Sequence, residues 1–139
     1  MAGQERFRAV TTHFFRGAAG GLLVYDTTNR ESFEHIVSWM TEARSRARPE
    51  AVFTLVGAKS DLAAAREVTA LEAATFAQEN DLLFIECSAR TGDNVDELFT
   101  KLTAGILRKA EQNHEMEDAS GDNGVDIGKQ DEAVGFCRC

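Results

Sequence analysis

Two short segments carry residue types able to read a purine base. Lys59-Ser60-Asp61 follows the apolar run Val52-Phe53-Thr54-Leu55-Val56-Gly57, and Cys87-Ser88-Ala89-Arg90 follows Leu82-Leu83-Phe84-Ile85. A carboxylate such as Asp61 accepts two parallel hydrogen bonds from a ring N–H and an exocyclic amine, the donor edge that guanine has and adenine lacks. The stem of Lys59 can lie along a base face, and a backbone N–H near Ala89 can donate to a base oxygen. Asp61 taken alone also suits a turn or a helix cap, because K-x-D is common by chance. The second polar loop, at the end of the next apolar run, is what argues against coincidence.

Phosphate chemistry is represented differently. No G-x-x-x-x-G-K-[ST] loop occurs; Gly57-Ala58-Lys59-Ser60 comes near it but lacks the first glycine, and an alanine separates Gly57 from Lys59. The cysteines are Cys87, Cys137 and Cys139, with no His or Cys partners at zinc spacing, so neither a disulfide framework nor a metal site is expected. Cys87, inside an apolar pattern, reads as a buried inert thiol. Cys137-Arg138-Cys139 is either a free or oxidisable thiol pair or a modification signal. His13, His35 and His114 share no catalytic spacing and are assigned no role.

These segments need strands to carry them. Gly21-Leu22-Leu23-Val24-Tyr25, Val52 to Gly57 and Leu82 to Ile85 are short runs apolar on both faces, as in parallel strands covered by helices on both sides. Between them Phe33, Ile36, Val37, Met40 and Ala43 keep helical spacing, with Thr28 and Glu31 as a capping box and Trp39 as a packing residue. Thr69 and Glu72 open a second helix, through Phe76 and Ala77 to Asn80. Val95, Leu98, Phe99, Leu102 and Ile106 define a third, capped by Asn94 and Glu97. Pro49 falls in the turn before the second strand, where it ends a helix without harm. The fold class is α/β, with ligands expected outside the carboxyl ends of the strands.

After about Glu111 the periodicity fades. The chain therefore divides into a body, residues 1–111, and an acidic tether, residues 112–139, with few apolar anchors before Phe136. Of the net charge of −8, most lies beyond residue 109, where eight acids face only Lys129 and Arg138. Such a segment is repelled by nucleic acid and by anionic lipid alike, so nucleic acid is not an expected partner. No apolar run is long enough to span a membrane and no secretory leader is apparent, which points to the cytoplasm.

The combined pattern resembles a Rab-type small GTPase of the Ras superfamily. Ala2-Gly3-Gln4-Glu5-Arg6-Phe7-Arg8 is similar to the family's switch II, and Phe15-Arg16-Gly17-Ala18-Ala19-Gly20 to its YRGAxG continuation. Leu23-Val24-Tyr25-Asp26 is similar to its LVYD strand. Lys59-Ser60-Asp61 matches NKxD except at the first position, occupied by Ala58, and Cys87-Ser88-Ala89-Arg90 matches [ET]-[TC]-S-A-[KR]. The resemblance covers nearly all of residues 2–110, plus the Cys-X-Cys signal.

The resemblance implies the carboxyl-terminal part of a P-loop NTPase-like parallel sheet, GTP or GDP as ligand, and GTP hydrolysis coupled to vesicle traffic. Lys59, Asp61, Ser88, Ala89 and Arg90 would hold the base, the Gly3 N–H would meet the γ-phosphate, and Gln4 would orient the attacking water. An exposed, idle Gln4 is the competing reading. Mg2+ accompanies the nucleotide in the family, but its ligands there, like the phosphate loop and switch I, precede the matched region; Met1 stands where the family's DTAGQE has threonine. Two functions follow: a membrane-traffic switch, or a truncated, non-catalytic remnant acting as a protein-binding module and inactive alone. Cys137 and Cys139 would receive two geranylgeranyl groups, holding the protein on the cytosolic face of endosomal or secretory membranes, with Rab effectors and prenylation machinery as partners. Phe14 and Phe15 would contribute to an effector surface or to local packing.

Overall fold

The computed structural model describes residues 15–118 and 135–138; side chains are described for residues 15–114. Strand β1 (Gly20–Asp26) is followed by helices α1 (Arg30–Glu34) and α2 (Ile36–Arg46), and β2 (Val52–Ala58) by a 3-10 turn at Ala63–Ala65 and helix α3 (Ala70–Glu79). Strand β3 (Leu83–Glu86), the long helix α4 (Val95–Asp118) and β4 (Gly135–Arg138) complete the described elements. The strands form one parallel sheet in the order β3-β2-β1-β4.

Alternation along the strands divides the core in two. Leu23 and Tyr25 of β1 and Phe53 and Leu55 of β2 face α1, α2 and α3, packing with Phe33, Ile36, Trp39, Met40, Ala73 and Ala77. Leu22, Val24, Val56 and Ile85 face the other way, against Leu98 and Leu102 of α4. Both faces of the sheet are thus covered, which is why the strands read as continuous apolar runs. On the α4 side the approach is close. A Cβ at Gly20 would lie 2.9 Å from the Val52 carbonyl oxygen and 2.7 Å from Ile106 Cδ1, so only glycine lets helix and strand meet there.

The helices depart from the sequence pattern in detail. The first region is two helices meeting at His35, and α2 buries Ile36, Trp39, Met40 and Ala43. That stripe leaves Val37 off its face and 50% exposed, whereas Trp39 packs as expected. The cap is Asn29, whose side chain accepts from the Ser32 N–H at 3.1 Å; Thr28 instead donates its hydroxyl to Asp26 Oδ1 at 2.7 Å. Thr69 does cap α3, accepting from the Glu72 N–H at 3.2 Å. At α4 the Asn94 side chain donates to the Glu86 carbonyl at 2.8 Å rather than capping the helix, and Phe99 is 43% exposed beside buried Leu98 and Leu102. Helix α4 continues to Asp118, beyond the point at which its apolar periodicity fades.

At one edge of the sheet Gly21, Leu22, Leu23 and Val24 of β1 pair in parallel with Gly135, Phe136, Cys137 and Arg138, a described part of the acidic tether.

Candidate functional site

The site lies where the sheet's carboxyl ends open. Strand β2 ends at Ala58, and the chain turns at Lys59, whose φ of 63° places it in the left-handed region that non-glycine residues seldom occupy. The turn is fixed from two sides. The Thr27 N–H donates to the Ala58 carbonyl at 3.0 Å and the Thr27 hydroxyl to the Lys59 carbonyl at 3.2 Å, while the Ser60 N–H donates to the Cys87 carbonyl at 3.2 Å. Backbone bonds from three strand ends therefore converge on one loop. Gly57 permits close packing just below it, since a Cβ there would come within 2.8 Å of the Tyr25 hydroxyl.

The two polar segments meet as the sequence suggests. Ser88, fully buried, donates its hydroxyl to Asp61 Oδ1 at 2.6 Å and accepts from the Thr91 N–H at 3.2 Å. Its backbone N–H donates to the Asp93 carbonyl at 3.1 Å and its carbonyl accepts from the Gly92 N–H at 2.8 Å, so the serine cannot swing away. One Asp61 oxygen is engaged by Ser88, and the carboxylate is thereby oriented. The Ala89 N–H has no partner among the described residues. Lys59, Asp61, Ser88, Ala89 and Arg90 all line one cavity of about 350 Å³, whose floor is Val24, Val56, Cys87 and Leu98.

Electrostatics support the loop from below. Lys59 Nζ pairs with Asp26 Oδ2 at 2.5 Å. Burial alone would raise the Asp26 pKa, but hydrogen bonds from Lys59 and from the Thr28 hydroxyl and N–H outweigh it and hold the carboxyl below its ordinary range. Outside the cavity lining, Arg66 donates both guanidinium nitrogens to Glu86, at 2.6 and 3.0 Å, and a third bond to the Val68 carbonyl at 3.0 Å, tying the segment after the 3-10 turn to the end of β3. The hydrogen bond to Glu86 raises the Arg66 pKa further. Cys87 is buried and burial pushes its thiol pKa up, which suits an inert wall rather than a nucleophile.

The expected base-site residues are thus brought together. Gly3, Gln4, Phe14 and Cys139 lie outside the described residues, and Cys137 is described only as backbone in β4. Phe15 is buried among core residues, which favours packing over an exposed effector contact. Sequence reading missed Asp26 and Thr27. Asp26 had a signal, since it directly follows an apolar strand; Thr27 acts through contacts distant in sequence.

The donor set fits a guanine base: an oriented carboxylate for two N–H groups, an unpaired backbone N–H for an oxygen, and a lysine stem at the rim. Among the described residues no group of three His, Cys, Asp or Glu side chains could hold a metal ion, and no helix is long and apolar enough to cross a membrane.

Comparison with known proteins agrees with this geometry. The Ras family pattern matches residues 1–108. The human Ras-related protein Rab-4B is 56% identical over 108 residues, a match spanning 78% of this chain and 51% of that protein. Ras-related protein Rab-4 of Dictyostelium discoideum is 55% identical over 108 residues, covering 78% and 53%, and Rab-4A of Danio rerio 56% over 110 residues, covering 79% and 52%. The chain spans about half the length of these relatives. It belongs to the Ras family, as a small GTPase of the Rab type.

Proposed function

We propose that this chain supplies the base-reading part of a GTP/GDP-dependent switch in vesicle traffic. The observation that carries the reading is the Ser88–Asp61 hydrogen bond of 2.6 Å beside the unpaired Ala89 N–H, at the mouth of an apolar-floored cavity. Ser88 keeps Asp61 oriented toward the two N–H groups of guanine, and Ala89 donates to the base oxygen. Lys59, held by Asp26, covers one face of the ring, and Arg90 lies beside the other polar loop.

Family resemblance extends the proposal to residues outside the described structure. The Gly3 N–H meets the γ-phosphate and Gln4 orients water; Cys137 and Cys139 carry isoprenoid groups that attach the protein to the cytosolic face of endosomal or secretory membranes. Effectors and the lipid-transfer machinery are then its protein partners. Ala58, in place of the family's asparagine, removes one side-chain amide from the base loop and weakens the grip by roughly tenfold to a hundredfold, the value of a buried hydrogen bond of about 1–3 kcal/mol.

Nucleotide titration of the 139-residue chain, followed through its backbone amide resonances, tests the base site. Guanosine and GDP should both shift Ala89, with affinities within a few-fold because the sequence contains no phosphate loop, and adenosine should not. Equal response to adenosine would refute the base assignment.

A further inference from the structure

Arg66 stands outside the cavity, yet its contacts enclose the loop that carries Lys59 and Asp61. Val68 is fully buried in the core on the α3 side of the sheet, and Arg66 is extended (φ −63°, ψ 128°), so these two side chains share one side of the segment. Thus anchored, the segment makes two attachments. The Glu67 and Val68 N–H groups donate to the Thr27 carbonyl, at 2.9 and 3.1 Å, and the Arg66 guanidinium reaches Glu86 at the end of β3. Thr27 in turn holds the Ala58 and Lys59 carbonyls through its N–H and its hydroxyl. On the other side the Glu86 carbonyl accepts from the Asn94 side chain, and the neighbouring Asp93 carbonyl holds the Ser88 N–H. Residues 66–68 therefore bridge the ends of β1 and β3, the two strands that flank β2 and its loop.

The sheet is shaped for this bridge. Tyr25, Gly57 and Glu86 stand in one row across β1, β2 and β3. With glycine in the middle, the Tyr25 hydroxyl and the Glu86 stem close over the backbone: a Cβ at Gly57 would lie 2.8 Å from the one and 3.1 Å from the other. Tyr25 is fully buried and blocks Glu86 on the β1 side, so the carboxylate is left to turn toward Arg66. Arg66 meets it with two N–H···O bonds while Nη1 also reaches the Val68 carbonyl, an arrangement that uses the planar fork of a guanidinium. Only 23% and 18% of the two side chains are exposed, so the pair is better shielded than a surface ion pair.

A base read by two loops needs those loops at one separation. Asp61, on the β2 loop, takes the ring N–H and the exocyclic amine, while the Ala89 N–H, on the β3 loop, meets the ring oxygen. The Ser88–Asp61 bond and the 3.2 Å bond from the Ser60 N–H to the Cys87 carbonyl cross between the loops, and each is a single hydrogen bond. We propose that Arg66 is a positioning residue for base recognition: by joining Glu86 to the Val68–Thr27 side of the site, it sets the separation of the Lys59–Asp61 and Ser88–Ala89 loops without touching the base. This role rests on the base-reading assignment above, because only a ligand held by both loops senses their separation.

Titration of the 139-residue chain with guanosine and with 2-aminopurine riboside tests this role. The second ligand keeps the exocyclic amine but has neither the ring N–H nor the ring oxygen, so the ratio of the two affinities measures what the loops gain by acting together. Arg66→Met should cut that ratio roughly tenfold, about the value of one hydrogen bond. A pair that served stability alone would lower the folded fraction and weaken both ligands alike, so an unchanged ratio would refute the positioning role. Should Arg66→Met fail to fold, Arg66→Lys decides: an ammonium keeps the charge but not the fork, and the ratio should again fall, whereas the full ratio would refute the role. Arg30→Ala, which breaks the exposed pair with Glu72, should leave the ratio unchanged; an equal fall there would mean general loosening and overturn the assignment to Arg66. In the ligand-free chain the Ser60 amide should exchange at least tenfold faster in the Arg66 variants while Leu55 stays protected, and unaltered Ser60 exchange would show that Arg66 does not set the loops. A wild-type chain with no preference for guanosine over 2-aminopurine riboside would sink the base reading and the positioning role together; a wild-type preference that survives in the Arg66 variants would sink the positioning role alone.

Discussion

Replacing Asp61 by asparagine should invert the base preference of the site, and the structure says which atom changes. Ser88 donates to Asp61 Oδ1 at 2.6 Å, and among the described residues its only other hydroxyl contact is as acceptor from the Thr91 N–H at 3.2 Å. In Asp61→Asn the position of Oδ1 must therefore stay an acceptor, and the amide nitrogen takes the place of Oδ2. Guanine then keeps one hydrogen bond and meets a donor with its exocyclic amine. Losing one charge-assisted hydrogen bond and leaving a donor unmatched costs about 3 kcal/mol, or roughly 150-fold in affinity. Xanthosine presents a carbonyl where guanosine has the amine, so it should gain where guanosine loses. Titration of both nucleosides into wild-type and variant chain, read at the Ala89 amide, measures the ratio of affinities. An unchanged ratio would refute the placement of Asp61 against the base edge.

Leu55, fully buried in the central strand, should cost about 3 kcal/mol when truncated to alanine; urea denaturation should show a midpoint lower by roughly 1.5 M for a slope near 2 kcal/mol/M. Asp26 has a folded-state pKa below its unfolded value, so its stabilising contribution is fully present above about pH 4 and is lost as pH falls through the depressed value. Asp26→Asn should flatten the stability-against-pH curve in that acid window relative to wild type, and parallel curves would contradict the role given to the Lys59 pair.

Legibility in the sequence followed the range of the forces involved. β1, β2 and β3 were readable because burial on both faces demands uninterrupted apolar runs, and the Thr69 cap because its partner is three residues away. Val37 and Phe99 were misassigned because they differ from their buried neighbours by one helical step, and tertiary packing alone decides which step faces the sheet. The Thr28 capping box failed because the Thr28 N–H and hydroxyl both turn back to Asp26 Oδ1, and the helix starts one residue later, with Asn29 accepting from the Ser32 N–H. Strand β4 was not read because Gly135-Phe136-Cys137-Arg138 lies in an acidic segment with few apolar anchors, and its pairing partner is more than a hundred positions earlier. The five residues that line the cavity from the two polar loops were legible as two motifs. The hydrogen bond that joins them, Ser88 to Asp61, was not, because two loops that share a strand-end cleft do not by themselves say which side chains pair.

That junction makes binding and folding separable by experiment. The base loop is held by Thr27 from β1's end and by Cys87 from β3's end, so any loss of sheet integrity loosens Lys59, Asp61 and Ala89 together. Leu55→Ala acts on the sheet and should weaken guanosine and xanthosine in equal proportion, through the folded fraction. Asp61→Asn acts on a single oxygen and should leave the denaturation midpoint nearly unchanged while shifting the ratio. Ser88→Ala lies between them: it removes the bond that orients Asp61 from a fully buried position, so it should lower both stability and the guanosine preference. A Ser88→Ala chain that lost stability but kept the full preference would mean that Asp61 is oriented by something other than Ser88, and the site would have to be rebuilt around that contact.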